Sequence, residues 1–227
     1  MAEIINTFIV LNIENHNEFP DDAYVDLFGS YGQIRLLARG INKANSKNRA
    51  NLLPGCVSEI EYFPARKKGS IGRLKRANQV MTINFQDMSN ITFTNKAINL
   101  LKNIKTDCYS VYKSYLQIIK RLSEGQNKKL ILYLAAQCLN HYGIMVNSNS
   151  CVECNQSYDL CDFSFYKGGF LCSQHSNSQR WNKELKTIYY LFNDFDRFYQ
   201  TATDSIASVL LIELKQHFAD NGILIYI

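Results

Sequence analysis

Apolar and polar positions alternate with a period of two through the first third of the chain, the signature of half-buried strands. Residues 7–13, with Phe8, Ile9, Val10 and Leu11, are rich in β-branched and aromatic side chains, and residues 23–29 repeat the pattern up to Gly29. Tyr31-Gly32 supplies a turn signal before the run 33–40, so these last two runs read as a hairpin. Residues 40–49 form a polar, basic loop. A further strand is expected over 56–63, then the basic turn Arg66-Lys67-Lys68-Gly69, then a last strand spanning roughly 79–85. Five short strands in some 85 residues fit a small barrel, and the OB-fold is the commonest five-stranded choice.

From Asn95 the period changes to about 3.6. Residues 109–122 place Tyr112, Tyr115, Ile119 and Leu122 on one side, and residues 128–146 do the same with Leu130, Leu134, Cys138 and Tyr142. Two more helices are expected over 183–201 and 204–218. Asn147-Ser148-Asn149-Ser150 reads as a polar break. The expected architecture is therefore α+β and multidomain: a five-stranded OB-fold barrel over 1–85, then a helical domain over 86–227 with an inserted zinc-finger subdomain over 150–176.

Composition excludes whole classes. At 46% hydrophobic and 20% charged residues, the 227-residue chain is close to the globular average, which argues against a wholly disordered protein. Pro at 3 and Gly at 11 rule out collagen-like and low-complexity sequence. No stretch approaches 18 consecutive apolar residues, and the first residues are acidic and amide-rich where an export signal needs basic ones. The expectation is a cytoplasmic chain with no membrane partner.

The net charge of +5 is mild, but its distribution is not. Residues 1–30 hold six acids (Glu3, Glu14, Glu18, Asp21, Asp22, Asp26) and no Lys or Arg, whereas residues 31–80 hold eleven bases against Glu59 and Glu61, a local excess of nine positive charges. The bases are Arg35, Arg39, Lys43, Lys47 and Arg49, then Arg66, Lys67, Lys68, Arg73, Lys75 and Arg76. Strand alternation puts Arg35 and Arg39 opposite Ile34, Leu36 and Ala38, so the arginines are expected to face solvent. Such a stripe attracts phosphate backbones by counterion release, with little sequence preference. Tyr31, Tyr62 and Phe63 are candidate aromatic platforms, although aromatics at such positions more often pack the core.

Four of the seven cysteines fall within 22 residues. Cys151-Val152-Glu153-Cys154 is followed, after seventeen residues, by Cys172-Ser173-Gln174-His175. Two intervening residues let one knuckle present both donors to one ion, and the loop is long enough to return a second knuckle. Three thiolates and one imidazole make a closed Zn²⁺ shell with no open position, which is structural rather than catalytic. Gly168-Gly169 supplies the sharp turn of the intervening hairpin. Cys161 is an alternative fourth donor, or a free thiol. Cys56, Cys108 and Cys138 sit in apolar contexts and are expected to pack. His16, His141 and His217 stand apart, Asp194 and Asp196 lie on a helix face, and the aromatic stripe 189–199 reads as packing surface. No phosphate-cradling, nucleophile-elbow, metalloprotease or paired-carboxylate motif is present, so no enzyme is expected.

The order of these parts, with Phe8-Ile9-Val10-Leu11, the phrase Tyr31-Gly32-Gln33-Ile34-Arg35-Leu36-Leu37-Ala38-Arg39-Gly40, Lys43 and Ser46-Lys47 after it, and a CxxC followed by a late Gly-Gly-x-x-C, resembles the RecO family of bacterial DNA repair proteins. The resemblance runs end to end and is most specific in 31–49 and 151–175. It implies an N-terminal OB-fold that binds single- and double-stranded DNA, a helical domain with a zinc finger, annealing of complementary strands, and association with RecR. With RecR, such proteins help load RecA onto DNA coated by single-strand-binding protein, whose acidic, hydrophobic C-terminal tail they bind through the helical domain. Two departures stand out: zinc-bearing members often use four cysteines where this chain offers His175, and a Gly that often follows the first knuckle is Asn155. A zinc-ribbon and OB-fold RNA-binding module of transcription or translation is the rival reading.

Overall fold

The computed structural model describes residues 3–67, 69–106, 108–122 and 125–227. Five strands, β1 (Ile4–Asn15), β2 (Ala23–Gly29), β3 (Gly32–Ala38), β4 (Val57–Phe63) and β5 (Gly72–Met81), close into a barrel in the order β1-β2-β3-β5-β4, with β4 returning to β1. This is the strand order of an OB-fold. Alternate residues fill its interior, among them Phe8, Val10, Val25, Leu27, Leu36, Ile60, Leu74 and Ala77. In β1, Phe8 and Val10 face the barrel core while Ile9 and Leu11 are buried outside it, and Leu11 is an extra residue between the pairs Val10–Leu27 and Asn12–Asp26, a bulge after which Ile13 is the next residue to pack against the core.

The fifth strand departs from expectation. It runs over Gly72–Met81 rather than 79–85, because a second bulge hides its alternation. Glu61 opposes Arg76 and Tyr62 opposes Leu74, which leaves Lys75 as the extra residue. Two consecutive cations, Lys75 and Arg76, are thereby both exposed while Leu74 and Ala77 stay inside. Arg73, Lys75 and Arg76 belong to a strand, not to the turn before it.

The barrel lies in a compact unit, Met1–Ser123, that also contains α1 (Met88–Leu101) and α2 (Tyr109–Ile119). Helix α1 starts at Asp87, whose carboxylate accepts from the Ser89 N–H, and Gln33 Nε2 donates to the carbonyl of its last residue, Leu101, and to that of Ile104 just beyond it. Helix α2 is tied to the barrel through two tyrosines. Tyr112 donates to the Thr7 carbonyl at 3.1 Å, and the fully buried Tyr115 donates to the Gly55 carbonyl at 2.7 Å. Burial pushes the Tyr115 hydroxyl far above the ordinary tyrosine range, so it remains a donor at every physiological pH.

The second unit, Glu124–Ile227, holds α3 (Asn127–Cys138), the strands β6 (Asn147–Cys151), β7 (Leu160–Ser164) and β8 (Gly169–Cys172), then α4 (Asn182–Asn193), α5 (Phe195–Thr201) and α6 (Asp204–Asp220). Helix α3 is buried along most of its length, with α4 and α6 packed against it. Three expectations are corrected. The helix foreseen to Val146 stops at Cys138, continues as one 3₁₀ turn over Leu139–Tyr142, and ends at Gly143 in the left-handed conformation that halts a helix. The supposed polar break at 147–150 is strand β6. The helix foreseen over 183–201 is broken at Asp194, which takes an extended backbone and accepts from the Arg197 N–H at 3.0 Å as the cap of α5. Asp194→Ala is expected to cost about 1 kcal/mol, a typical cap value, read as a lower thermal midpoint; an unchanged midpoint would leave the break to packing alone. No helix among the described residues is long and apolar enough to cross a membrane.

Candidate nucleic-acid interface and metal centre

The acidic N-terminal strands lie beside the basic strand, and the contact sorts the eleven cations. Arg35 stands directly across from Asp26 in the β2–β3 ladder, with Nε 3.0 Å from the carboxylate, and its guanidinium also pairs with Glu14 on β1. It lies 5.2 Å from the Tyr24 ring centroid as well. Lys75 is held between Glu3 at 2.7 Å and Glu61 at 2.6 Å, and these carboxylates raise its ammonium above the usual lysine range. Lys43 lies 3.7 Å from Asp21. Among the described residues, Arg39, Lys47, Arg49, Lys67 and Arg76 are exposed and form no ion pair. Arg73 is also exposed and covers the half-buried Phe63 ring at 5.2 Å. Arg66 is exposed as well, and Lys68 lies outside the described residues.

Two stretches far apart in sequence converge here. The parallel β3–β5 pairing covers only Leu36–Gly72 and Leu37–Arg73, so β5 soon leaves its β3-side edge open. The loop after β3 fills that edge with side chains. Asn48 donates from Nδ2 to the Lys75 carbonyl at 3.3 Å and accepts the Ala77 N–H on Oδ1 at 3.0 Å. Asn51 accepts the Gln79 N–H at 3.4 Å and donates to the Lys47 carbonyl at 3.1 Å. Lys47 and Arg49 are thus brought to the strand that carries Arg76. Of the candidate platforms, Tyr31 is 92% exposed at the β2–β3 turn, while Tyr62 packs edge-on against Phe8 with ring centroids 6.0 Å apart.

The ion pairs of Arg35 set up a test. Glu14→Gln with Asp26→Asn frees its guanidinium and removes two negative charges from the surface. Single-strand affinity is expected to rise a few-fold at about 0.1 M salt, in line with the modest strength of exposed pairs. Fluorescence anisotropy reads the change; unaltered or weaker binding would show that Arg35 takes no part.

In the second unit, β6 and β8 run side by side and end on the first donor of each knuckle, Cys151 and Cys172. Each chain then folds into a similar turn. The Asn155 N–H donates to the Cys151 carbonyl at 2.9 Å, and the His175 and Ser176 N–H groups donate to the Cys172 carbonyl at 2.9 and 3.0 Å. Asn155 adopts φ +61°, the left-handed conformation that Asn tolerates better than most residues, which explains how it serves where a Gly would be expected. Gly169, at φ +146°, lies so close to β6 that a Cβ there would sit 2.2 Å from the Asn147 carbonyl oxygen.

The ligand atoms of Cys151, Cys154, Cys172 and His175 all lie within 4.8 Å of one another. Cys154 and Cys172 sulfurs are 3.8 Å apart, and His175 Nδ1 is 3.7 Å from Cys151 and 3.2 Å from Cys172. A tetrahedral ion with metal–sulfur bonds of about 2.3 Å and metal–nitrogen bonds of about 2.0 Å has edges of roughly 3.5–3.8 Å; two of these separations match and the third is shorter, so the set could hold one ion and is compatible with zinc. All seven cysteines are free thiols. At Cys151 burial opposes ionisation, but the N–H groups of Cys172, Cys154 and Glu153 outweigh it and bring the thiol down to about 6, so a thiolate is available at neutral pH. Cys161 lies outside the cluster, with its sulfur 3.8 Å from the Ser178 carbonyl; burial, then Asp162 and Asp159, push its thiol up. Cys56, Cys108 and Cys138 are buried.

Sequence reasoning missed Arg180. Its half-buried guanidinium reaches Asp162 on β7 (3.4 Å), Glu184 on α4 (2.5 Å) and Glu213 on α6 (2.9 Å to each oxygen). Asp162 also accepts from Ser176, next to His175, at 2.7 Å. The second knuckle is thereby connected to two helices. A lone arginine in the sequence carries no signal of this; only the fold brings the three acids to it.

A closed five-stranded barrel with the strand order of an OB-fold, and a second unit of helices that carries a three-stranded sheet with a Cys₃His cluster, define a two-unit α+β protein. Comparison with known families is specific. The model of the Recombination protein O N-terminal region matches residues 1–83, and that of its C-terminal region matches residues 106–200. The chain belongs to the RecO family. Proteins named DNA repair protein RecO are similar to it at 27% identity in Ligilactobacillus salivarius (81% of this chain, 73% of that protein), at 26% in Latilactobacillus sakei (91% and 78%) and at 23% in Mesoplasma florum (84% and 74%).

Proposed function

We propose that the protein is a non-enzymatic DNA repair and recombination mediator. It binds single- and double-stranded DNA through the barrel, anneals complementary strands, and with RecR helps load RecA onto DNA covered by single-strand-binding protein in the cytoplasm, at the nucleoid. The observation that carries this reading is the exposed set Arg39, Lys47, Arg49, Lys67 and Arg76, which has no ion-pair partner among the described residues. Annealing breaks and makes no covalent bond. The protein has only to offset the repulsion between two phosphate backbones while leaving base edges free, and exposed cations that contact phosphates alone do that. Arg66 and Arg73 add to the exposed cations, Lys68 is assigned to DNA contact from the sequence alone, and Arg35, Lys43 and Lys75 contribute once DNA competes for their acidic partners.

The metal in this reading is one structural Zn²⁺ per chain, held by Cys151, Cys154, Cys172 and His175. When bound, the metal would crosslink the two knuckles through these four donors and supply no reactive chemistry. The helical unit takes the protein contacts, including that with the C-terminal tail of single-strand-binding protein.

Equilibrium binding of a labelled single strand across a salt series tests the reading. A negative slope of log K against log salt, about 0.7 per phosphate contacted, is expected, with RNA of the same sequence bound no better. Absence of salt-dependent DNA binding would overturn it, and a preference for RNA would support the rival RNA-binding module.

A further inference from the structure

Lys47, Arg49 and Arg76 form no ion pair among the described residues, although Glu61 stands across from Arg76 on β4, and like charges on neighbouring segments repel, so something must hold the segments together. Charge does not; two asparagines do. Asn48 sits between Lys47 and Arg49 in the chain, and its side-chain amide spans the Lys75 carbonyl and the Ala77 N–H, the two backbone groups that flank Arg76. It pairs with β5 as the peptide of a neighbouring strand would, at the edge that β3 leaves open. Asn51 adds a single bond to β5, accepting the Gln79 N–H, and ties back to the Lys47 carbonyl through its Nδ2. The carbonyl of Asn51 in turn accepts from the buried Ser58 hydroxyl of β4 at 2.5 Å, which anchors the end of the loop to the barrel wall.

We infer that Asn48 is a positioning residue for phosphate contact: it stitches the loop onto the open edge of β5 and so makes one phosphate-binding surface of two basic segments that the sequence separates by some twenty-five residues. A loop carrying two free cations on a long flexible segment would lose conformational entropy each time it met a backbone; a loop already held on β5 does not. The open strand edge is also covered, which limits its pairing with another chain. This inference rests on the DNA-binding reading above and specifies which residue organises that surface.

The test is a salt series with a labelled single strand, comparing wild type, Asn48→Ala, the pair Lys47→Ala with Arg49→Ala, and the three changes combined. If Asn48 positions both cations, Asn48→Ala lowers the slope of log K against log salt by about 1.4, the value for two single-strand contacts, with the circular dichroism of the barrel retained. The pair lowers it by the same amount, and the triple variant shows little further loss. A wild-type slope in Asn48→Ala, or losses that simply add in the triple variant, would overturn the inference while leaving DNA binding by the barrel intact. A wild-type chain without salt-dependent binding would instead defeat the reading on which it rests. Should Asn48→Ala fail to fold, Asn48→Ser keeps a small polar side chain too short to bridge both backbone groups, and the same slopes decide.

Discussion

Reversing Arg39, Lys47, Arg49 and Arg76 to Glu is expected to weaken single-strand binding by at least about 100-fold near 0.1 M salt and to lower the slope of log K against log salt by about 3. The slope follows from four lost contacts at about 0.7 each, and the affinity loss is larger because each reversal adds repulsion to lost attraction. All four residues are exposed and without ion-pair partners among the described residues, so the barrel itself should keep its stability to within about 1 kcal/mol. Arg35 behaves differently. Arg35→Glu would set three carboxylates together with Glu14 and Asp26, and its effect would mix lost binding with a damaged β2–β3 ladder. Electrophoretic or anisotropy titrations beside a thermal melt separate the two. Equal binding by the fourfold variant would mean that the cationic face is only a solvated surface.

Cys151→Ser is expected to remove the metal and to destabilise the Glu124–Ile227 unit by more than about 3 kcal/mol, or more than about 10 °C in its midpoint. Metal affinity at a closed thiolate site is folding free energy, because the ligands come together only in the folded chain. Here the loss reaches beyond the two knuckles. Through Ser176 and Asp162 the second knuckle meets Arg180, and through Arg180 it meets Glu184 on α4 and Glu213 on α6. The single tryptophan, Trp181, follows Arg180 and is 81% exposed, so its fluorescence reports the same segment. Metal analysis should return about one zinc per wild-type chain and almost none in the variant, with a shift in Trp181 emission when wild type is treated with chelator. A variant that retains one zinc, or melts like wild type, would remove Cys151 from the ligand set.

Some of this was legible in the sequence and some was not, for physical reasons. β2 and β3 could be read because Val25, Leu27, Leu36 and Ala38 alternate inward without interruption. β5 could not, because the bulge at Lys75 breaks the period of two just where the polar residues are densest. The two knuckles were visible because metal spacing is local, whereas the strand entering the first one was not: Asn147 bonds its own chain at Asn149 and Ser150, and a short polar strand on a parallel neighbour has no alternation to show. Stripe-counting recognised the cations but not their partners. Asp26 meets Arg35, and Glu3 meets Lys75, only through barrel register, and the roles of Asn48 and Asn51 depend on an edge that no linear pattern reveals.

The cationic barrel face is the part of the protein proposed to handle DNA strands. Annealing of complementary oligonucleotides coated with single-strand-binding protein measures this directly when wild type and the Arg39, Lys47, Arg49 and Arg76 reversal are compared across a salt series. The predicted result is acceleration by wild type that fades as salt rises and is absent in the fourfold variant. Annealing at the unassisted rate with wild type, or equal acceleration by the variant, would contradict it.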